Sequence, residues 1–288
     1  MEIVFTRNSE KLSRELAEKM SFTAFSCNVR YFNNREMSVS LRKPFREVIV
    51  VASTATNDDW MELFLLLGCL RDANKVILCL TYMGYSRQSQ QIPNESFAAR
   101  SLCVMLETFN ISNCIIIDNH SEPMFRIPTK HISAQSLFQK EISAKYKPNQ
   151  IAIVSPDIGG ASRAYEIARS IGAECIICNK ERSVFGELKK VDPIGKVAGK
   201  ICVLVDDMVD SGSTLRKASD ALVEAGSHDV VAYCTHSILS EGAVERLEES
   251  HITEFVFADT IHNEYLLSPK FRKLSIVSLI VDAIRCIL

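Results

Sequence analysis

Val203-Leu-Val-Asp-Asp-Met-Val-Asp-Ser-Gly-Ser-Thr214 runs an apolar strand into clustered carboxylates, a turn of small residues and the start of a helix. The backbone N–H groups of Ser211, Gly212, Ser213 and Thr214, with the positive end of a helix beginning near Leu215, form a seat for a phosphate. Asp206 and Asp207 leave the carboxyl end of the strand, where open α/β sheets bind their ligands. Carboxylates there suit ribose hydroxyls or a Mg²⁺ ion with its water shell. The plain alternative is a strand-to-helix turn whose Asp residues cap the helix. A cap needs one such residue, whereas Asp206, Asp207 and Asp210 crowd their negative charges together, which costs stability unless cations or hydroxyls bind there.

The same strand-to-helix rhythm extends in both directions. Val48 to Ser53, Lys75 to Tyr82, Cys114 to Asp118, Ile151 to Ser155, Cys175 to Cys178, Ile201 to Val205, Val230 to Cys234 and Phe255 to Ala258 are short runs rich in Val and Ile. They read as strands buried on both faces. Asp59 to Arg71, Glu95 to Phe109, Gly160 to Ile171 and Leu215 to Ala225 carry apolar residues at helical spacing. This alternation predicts parallel sheets with right-handed crossovers.

With 288 residues, 47% of them hydrophobic, the chain can bury a large core and is expected to form two α/β domains. The polar segment Gln139 to Gln150 is the candidate boundary, dividing the chain into 1–144 and 145–288. A net charge of −2 gives no electrostatic case for nucleic acid or membrane surfaces. No apolar run approaches the roughly 20 residues of a membrane span, and the amino terminus begins like a strand rather than a signal peptide. The ten cysteines lie mostly inside apolar runs and read as reduced core thiols. Cys175 and Cys178 have redox or zinc spacing, but no second Cys or His pair lies nearby. No G-x-x-x-x-G-K-[S/T] sequence occurs, so any ATP site is not a P-loop.

The chain resembles the ribose-phosphate diphosphokinases, or phosphoribosyl diphosphate (PRPP) synthases, over nearly its whole length. The stretch quoted first is similar to the phosphoribosyl motif those synthases share with type I phosphoribosyltransferases. Phe32-Asn-Asn-Arg-Glu-Met-Ser-Val39, Gly84-Tyr-Ser-Arg-Gln88, Asp118-Asn-His120, Val154-Ser-Pro-Asp-Ile-Gly-Gly160, Asn179-Lys-Glu-Arg182, Ala232-Tyr-Cys-Thr-His236 and Asp259-Thr-Ile261 follow in the family's order. The resemblance implies two tandem phosphoribosyltransferase-like domains, each a mostly parallel sheet flanked by helices. The amino-terminal one would serve the nucleotide, and the carboxy-terminal one ribose 5-phosphate and the catalytic loop. It implies transfer of the β,γ-diphosphate of ATP to the C1 hydroxyl of ribose 5-phosphate.

By resemblance, Asp206, Asp207, Asp210, Ser211, Gly212, Ser213, Thr214 and Arg182 hold ribose 5-phosphate, and Lys180 and Arg182 are catalytic. His120 and Asp157 are the implied Mg²⁺ ligands, although a strand-end His is on chemical grounds more often a structural hydrogen-bonding residue. Phe32, Asn34, Arg35, Glu36, Arg87 and Gln88 are the implied ATP contacts, supplied across a homodimer or larger ring with a shared active site. A cytoplasmic location follows from the family and the reduced thiols. From the residues alone, Glu181 to Lys200, with Gly186, Pro193 and many charges, reads as a long mobile loop of the kind that forms lids.

The chain departs from the family at several places. Asn34 and Arg35 stand where Asp and Gly are usual, and Ser89-Gln90-Gln91 replaces an Asp or a short basic run. Ser213 replaces a Gly, which predicts slight strain in the phosphate turn. The segment after Gln88 is short and lacks the arginines used for allosteric phosphate and ADP, as in compact archaeal-type synthases. Weak or absent phosphate activation is therefore expected. A catalytically weak subunit that associates with synthases and a phosphoribosyltransferase are the competing functions.

Overall fold

In the computed structural model, residues 1–121, 125–182, 188–263 and 268–288 are described, by backbone alone at 180–182 and 188–191. Along the first part of the chain lie β1 (Glu2–Phe5), α1 (Glu10–Met20), β2 (Thr23–Ser26), β3 (Asn28–Tyr31), β4 (Met37–Ser40), β5 (Glu47–Thr54), α2 (Asn57–Cys69), β6 (Lys75–Met83), α3 (Ala98–Glu107), β7 (Asn113–Ile117), β8 (Thr129–Ile132) and α4 (Gln135–Lys145). There follow β9 (Ile151–Ser155), α5 (Ala161–Ile171), β10 (Glu174–Arg182), β11 (Leu188–Ile194), β12 (Ile201–Val209), α6 (Ser213–Glu224), β13 (Asp229–Ser237), α7 (Ala243–Glu248), β14 (Ile252–Ala258), β15 (Phe271–Leu274) and α8 (Val277–Ile287).

The chain forms an α/β architecture of two compact units: 1–133 with 260–262 and 275–288, and 134–259 with 263–274. The first unit holds a sheet of order β2-β1-β5-β6-β7-β8, parallel throughout, and a separate antiparallel hairpin of β3 and β4. The second holds the order β11-β10-β9-β12-β13-β14-β15, parallel except for β10 with β11. Without β11, the second order repeats the first strand for strand, so the shared rhythm of the two halves is a repeated fold.

Each core follows from the runs of β-branched and Leu residues. Val48, Val50, Leu78 and Leu80 of the first sheet are inaccessible and pack under Leu63 and Leu66 of α2. Val154, Leu204 and Ala232 do the same in the second, under Ala218 and Leu222 of α6. Burying each Val or Leu side chain contributes roughly 1.5–3 kcal/mol. The helices that end the two halves are exchanged. The helix following β8, α4, packs on α5 of the second unit, with Phe138 edge-on to Tyr233 at 5.6 Å. The helix following β15, α8, packs on α1 of the first unit and buries Val277, Ile280, Val281 and Ile284.

Two expectations change. Gln139 to Lys145, read as a polar boundary, is helical in α4. Residues 188–194, read as part of a mobile loop, form β11, which pairs antiparallel with β10 from Ile177↔Ile194 to Arg182↔Leu188. Residues 183–187 of that predicted loop lie outside the described residues. β11 resembles a loop in sequence because it is a sheet edge, where a proline such as Pro193 is tolerated and charges discourage pairing with other chains.

Candidate active site

In an open parallel sheet the ligand site lies where consecutive connections leave a strand in opposite directions. In the second unit that place is between β9 and β12: α5 carries the chain outward to β10, while β12 pairs on the other side of β9. β12 pairs with β9 only from Ile201 to Leu204, so residues 205–209 continue beyond the end of β9. Asp206 and Asp207 lie on this overhang, and the 210–212 turn into α6 closes it.

Arg163, in the first turn of α5, reaches both carboxylates: its Nη1 is 3.6 Å from Asp206 Oδ1 and 3.7 Å from Asp207 Oδ1. All three side chains are largely buried, with 20% of Arg163, 17% of Asp206 and 9% of Asp207 exposed. Gly160 makes the close approach possible, since a Cβ there would meet Ser155 Oγ at 2.7 Å and lie 3.9 Å from both Arg163 Nη1 and Asp206 Oδ1. Asp157 is held in the same β9–α5 turn, where its Oδ1 accepts the Gly160 N–H at 3.3 Å and its carbonyl accepts the Ser155 hydroxyl at 2.6 Å.

Burial, with the charge of Asp207, pushes the Asp206 carboxyl well above the usual range, and Arg163 pulls the other way. The unfolded chain releases this proton first, so stability falls as pH rises from the ordinary carboxylate range toward the folded value. Asp206→Asn removes that slope. In ligand-free protein, the urea midpoint of the variant should gain on the wild type as pH rises from acid to neutral. Parallel curves would contradict the assignment.

The phosphate turn differs from expectation in one respect. The helix begins at Ser213, which is not among the residues with positive φ, and the left-handed residue is Gly212, at φ 71°. Ser213 therefore carries no strain of the predicted kind, and its hydroxyl lies 2.9 Å from that of Ser211. Arg35 does carry it. At φ 68°, in the tip of the β3–β4 hairpin, it occupies the position where the family usually has Gly, at a cost of about 1 kcal/mol.

That tip is closed by Phe32 N–H to the Glu36 carbonyl at 2.8 Å and Arg35 N–H to the Phe32 carbonyl at 2.9 Å, and Asn34 Oδ1 accepts the Glu36 N–H at 3.1 Å. Phe32 is 54% exposed, available to a flat partner. Arg87 and Gln88 follow β6 in a tight turn and line a cavity of about 370 Å³ with Gln90, Ile92, Glu95 and Ser96. His120 is exposed in the loop after β7, and this loop is tied to the Arg87 turn by the Ser121 hydroxyl on the Ser86 carbonyl at 3.0 Å.

Asp157 belongs to the second unit and His120 to the first, and among the described residues no His, Cys, Asp or Glu cluster of three forms a metal centre by itself. Lys180 and Arg182 lie in β10 by backbone, and their side chains lie outside the described residues. Cys178 is buried, Cys175 is partly so, and burial raises the Cys175 thiol.

The equivalent place in the first unit, between β1 and β5, is filled by its own side chains. Glu62, 1% exposed, accepts the Arg7 N–H at 2.7 Å and Arg7 Nε at 2.9 Å, and Cys27 Sγ lies 3.4 Å away. Asp59 closes a capping box with Thr56 at the start of α2. A helix start capped by acidic side chains repels an anion. In the second unit, among the described residues, α6 instead starts on Gly212 with no side-chain cap hydrogen bond and no acidic residue in its first turn. Arg163 and the first unit's plug escaped the sequence reading. The Gly160-x-x-Arg163 spacing at a helix start beside the acidic strand was the available signal for Arg163.

Comparison with known proteins agrees with this fold. Residues 1–109 match the N-terminal domain of ribose phosphate pyrophosphokinase and residues 177–288 the phosphoribosyl synthetase-associated domain. The ribose-phosphate pyrophosphokinase of Brucella melitensis biotype 1 is 34% identical over 98% of this chain and 95% of its own length. That of Campylobacter jejuni is 33% identical over 96% and 92%. The crystal structure of phosphoribosylpyrophosphate synthetase from Mycobacterium smegmatis superposes with a TM-score of 0.91 at 28% identity, covering 100% of this chain and 99% of that one.

Proposed function

This chain belongs to the ribose-phosphate pyrophosphokinase family, and from that membership we infer that it makes PRPP and AMP from ATP and ribose 5-phosphate. The observation carrying the residue assignment is the overhang of β12, with paired carboxylates beside an unplugged phosphate turn. The 5-phosphate sits on the backbone N–H groups of Ser211 to Thr214, and Asp206, Asp207 and Asp210 take the ribose hydroxyls. Phe32 stacks on the adenine, with Asn34, Arg35 and Glu36 beside it, and Arg87 and Gln88 contact base and phosphates. These nucleotide contacts come from a neighbouring copy in a homodimer or larger ring.

In the reaction the C1 oxygen of the pentose forms a bond to the β-phosphorus, the bond from that phosphorus to the α–β bridging oxygen breaks, and the hydroxyl proton passes to water. Such transfer is chiefly alignment and neutralisation of charge. Lys180 and Arg182, on the β10–β11 ribbon, neutralise the charge that spreads over the moving diphosphate. The Asp157 carboxylate, near the negative pair Asp206 and Asp207, suits a hard cation, and His120 is the second proposed ligand by resemblance alone. Bound there, Mg²⁺ would neutralise the nucleotide phosphates. Among the described residues no helix is long and apolar enough to cross a membrane.

Purified protein should release AMP from ATP only when ribose 5-phosphate is present, with an equal amount of PRPP. Absence of both products would favour the catalytically weak, synthase-associated subunit. The short segment after Gln88 carries a second expectation: titration with inorganic phosphate at fixed substrates gives little activation and no sigmoidal response. A steep sigmoidal rise would overturn it.

A further inference from the structure

We propose that Arg246 is a positioning residue that orients the phosphate turn, an inference resting on the assignment of that turn to ribose 5-phosphate. Arg246 lies on α7, and its Nη1 donates to the carbonyl oxygen of Ser211. The peptide joining Ser211 to Gly212 is planar and trans, so its N–H points opposite to its carbonyl. With the carbonyl drawn toward α7, the Gly212 N–H faces the other way, out from the turn. A carbonyl turned outward would instead set a negative dipole against the anion.

The turn is backed by α7 and the segment before it at several further points. A Cβ on Gly212 would lie 3.1 Å from Leu247 Cγ and 3.4 Å from the Ala243 carbonyl oxygen, so the turn rests directly on α7. The Ile238 and Leu239 N–H groups both donate to the Val209 carbonyl, at 2.9 and 3.1 Å, and the Ser240 N–H donates to the Asp210 carbonyl at 3.1 Å. The Ala243 N–H donates to the Ser240 carbonyl at 2.9 Å, which ties the start of α7 to this segment. These bonds fix the backbone before the peptide, the Arg216 N–H on the Gly212 carbonyl at 3.0 Å fixes it after, and Arg246 supplies a contact to the peptide itself that selects its orientation. A guanidinium suits the task because a hydrogen bond from a charged donor is stronger than one between neutral groups.

The test is steady-state kinetics of AMP release by full-length Arg246→Ala, Arg246→Lys and wild-type protein, varying each substrate in turn. Loss of one charge-assisted hydrogen bond should raise KM for ribose 5-phosphate about tenfold or more in Arg246→Ala. KM for ATP should stay within about twofold, and Arg246→Lys should recover most of the loss, because an ammonium still reaches a carbonyl. The proposal is overturned if KM for ribose 5-phosphate is unchanged, if both KM values rise together, or if Lys performs no better than Ala. Should Arg246→Ala fail to fold, Arg246→Met, which keeps the length of the side chain without any donor, carries the same comparison with Arg246→Lys, and the same outcomes decide. Wild-type protein that releases no AMP with ribose 5-phosphate would instead refute the underlying assignment, which separates the two failures.

Discussion

Lys180→Ala should lower kcat by about a thousandfold while ribose 5-phosphate binds with near wild-type affinity. Phosphoryl transfer asks the protein for alignment and for charge that opposes the transition state. Removing one preorganised stabilising group from such a site costs roughly 10²–10³ in rate. The backbone places this residue suitably: β10 pairs with β9 only as far as Ile177↔Ser155, and beyond that it is held by β11 alone, with Lys180 opposite Val191. The ribbon thus projects past the carboxyl edge where the β12 carboxylates lie, and the proposed phosphate turn belongs to a different connection, that of β12 to α6. Single-turnover AMP release and calorimetric titration with ribose 5-phosphate check the two halves of the expectation. Turnover within tenfold of wild type, or loss of pentose binding together with turnover, would contradict it.

Gly212→Val should remove ribose 5-phosphate binding and weaken the fold. A β-branched residue at φ 71° adopts a backbone region costing about 1–2 kcal/mol, and its Cβ would press on Leu247 in a packed wall, costing about 1–3 kcal/mol more. A combined loss of about 2–5 kcal/mol should appear in urea denaturation. The displaced turn would no longer present its amides to the phosphate, so KM for the pentose should rise about a hundredfold or more. Ser213→Gly, one residue on, should leave KM nearly unchanged, because Ser213 already has helical backbone. Equal effects at both positions would show that the left-handed residue has been misplaced.

The parallel core was legible because strands buried on both faces read as unbroken Val and Ile runs. Each of the predicted runs falls in an observed strand, with ends shifted by a few residues. Edge elements were not legible for the converse reason. β2, β8 and β15 lie at or beside sheet margins and lack a continuous apolar signal, and β11, with Lys189, Lys190, Asp192 and Pro193, resembles a loop. The exchanged helices α4 and α8 were hidden for a different reason: amphipathic spacing reports that a helix buries a face, and not which half of the chain receives it.

At the site, the acidic strand and phosphate turn were readable because their neighbours in sequence are their neighbours in space. Arg163 and Arg246 approach from other elements, 43 and 35 residues from the groups they contact, Asp206 and Ser211. Strain was assigned to Ser213 because a Gly-to-Ser departure was visible there. Backbone geometry places it at Arg35, in the hairpin tip that carries Phe32.

A crystal structure of the protein soaked with ribose 5-phosphate decides whether the turn between β12 and α6 is the pentose phosphate seat. The 5-phosphate should rest on the backbone amides of Ser211 to Thr214, with ribose hydroxyls toward Asp206 and Asp207. A pentose seated elsewhere, or a turn that stays empty at saturating ligand, would contradict the account.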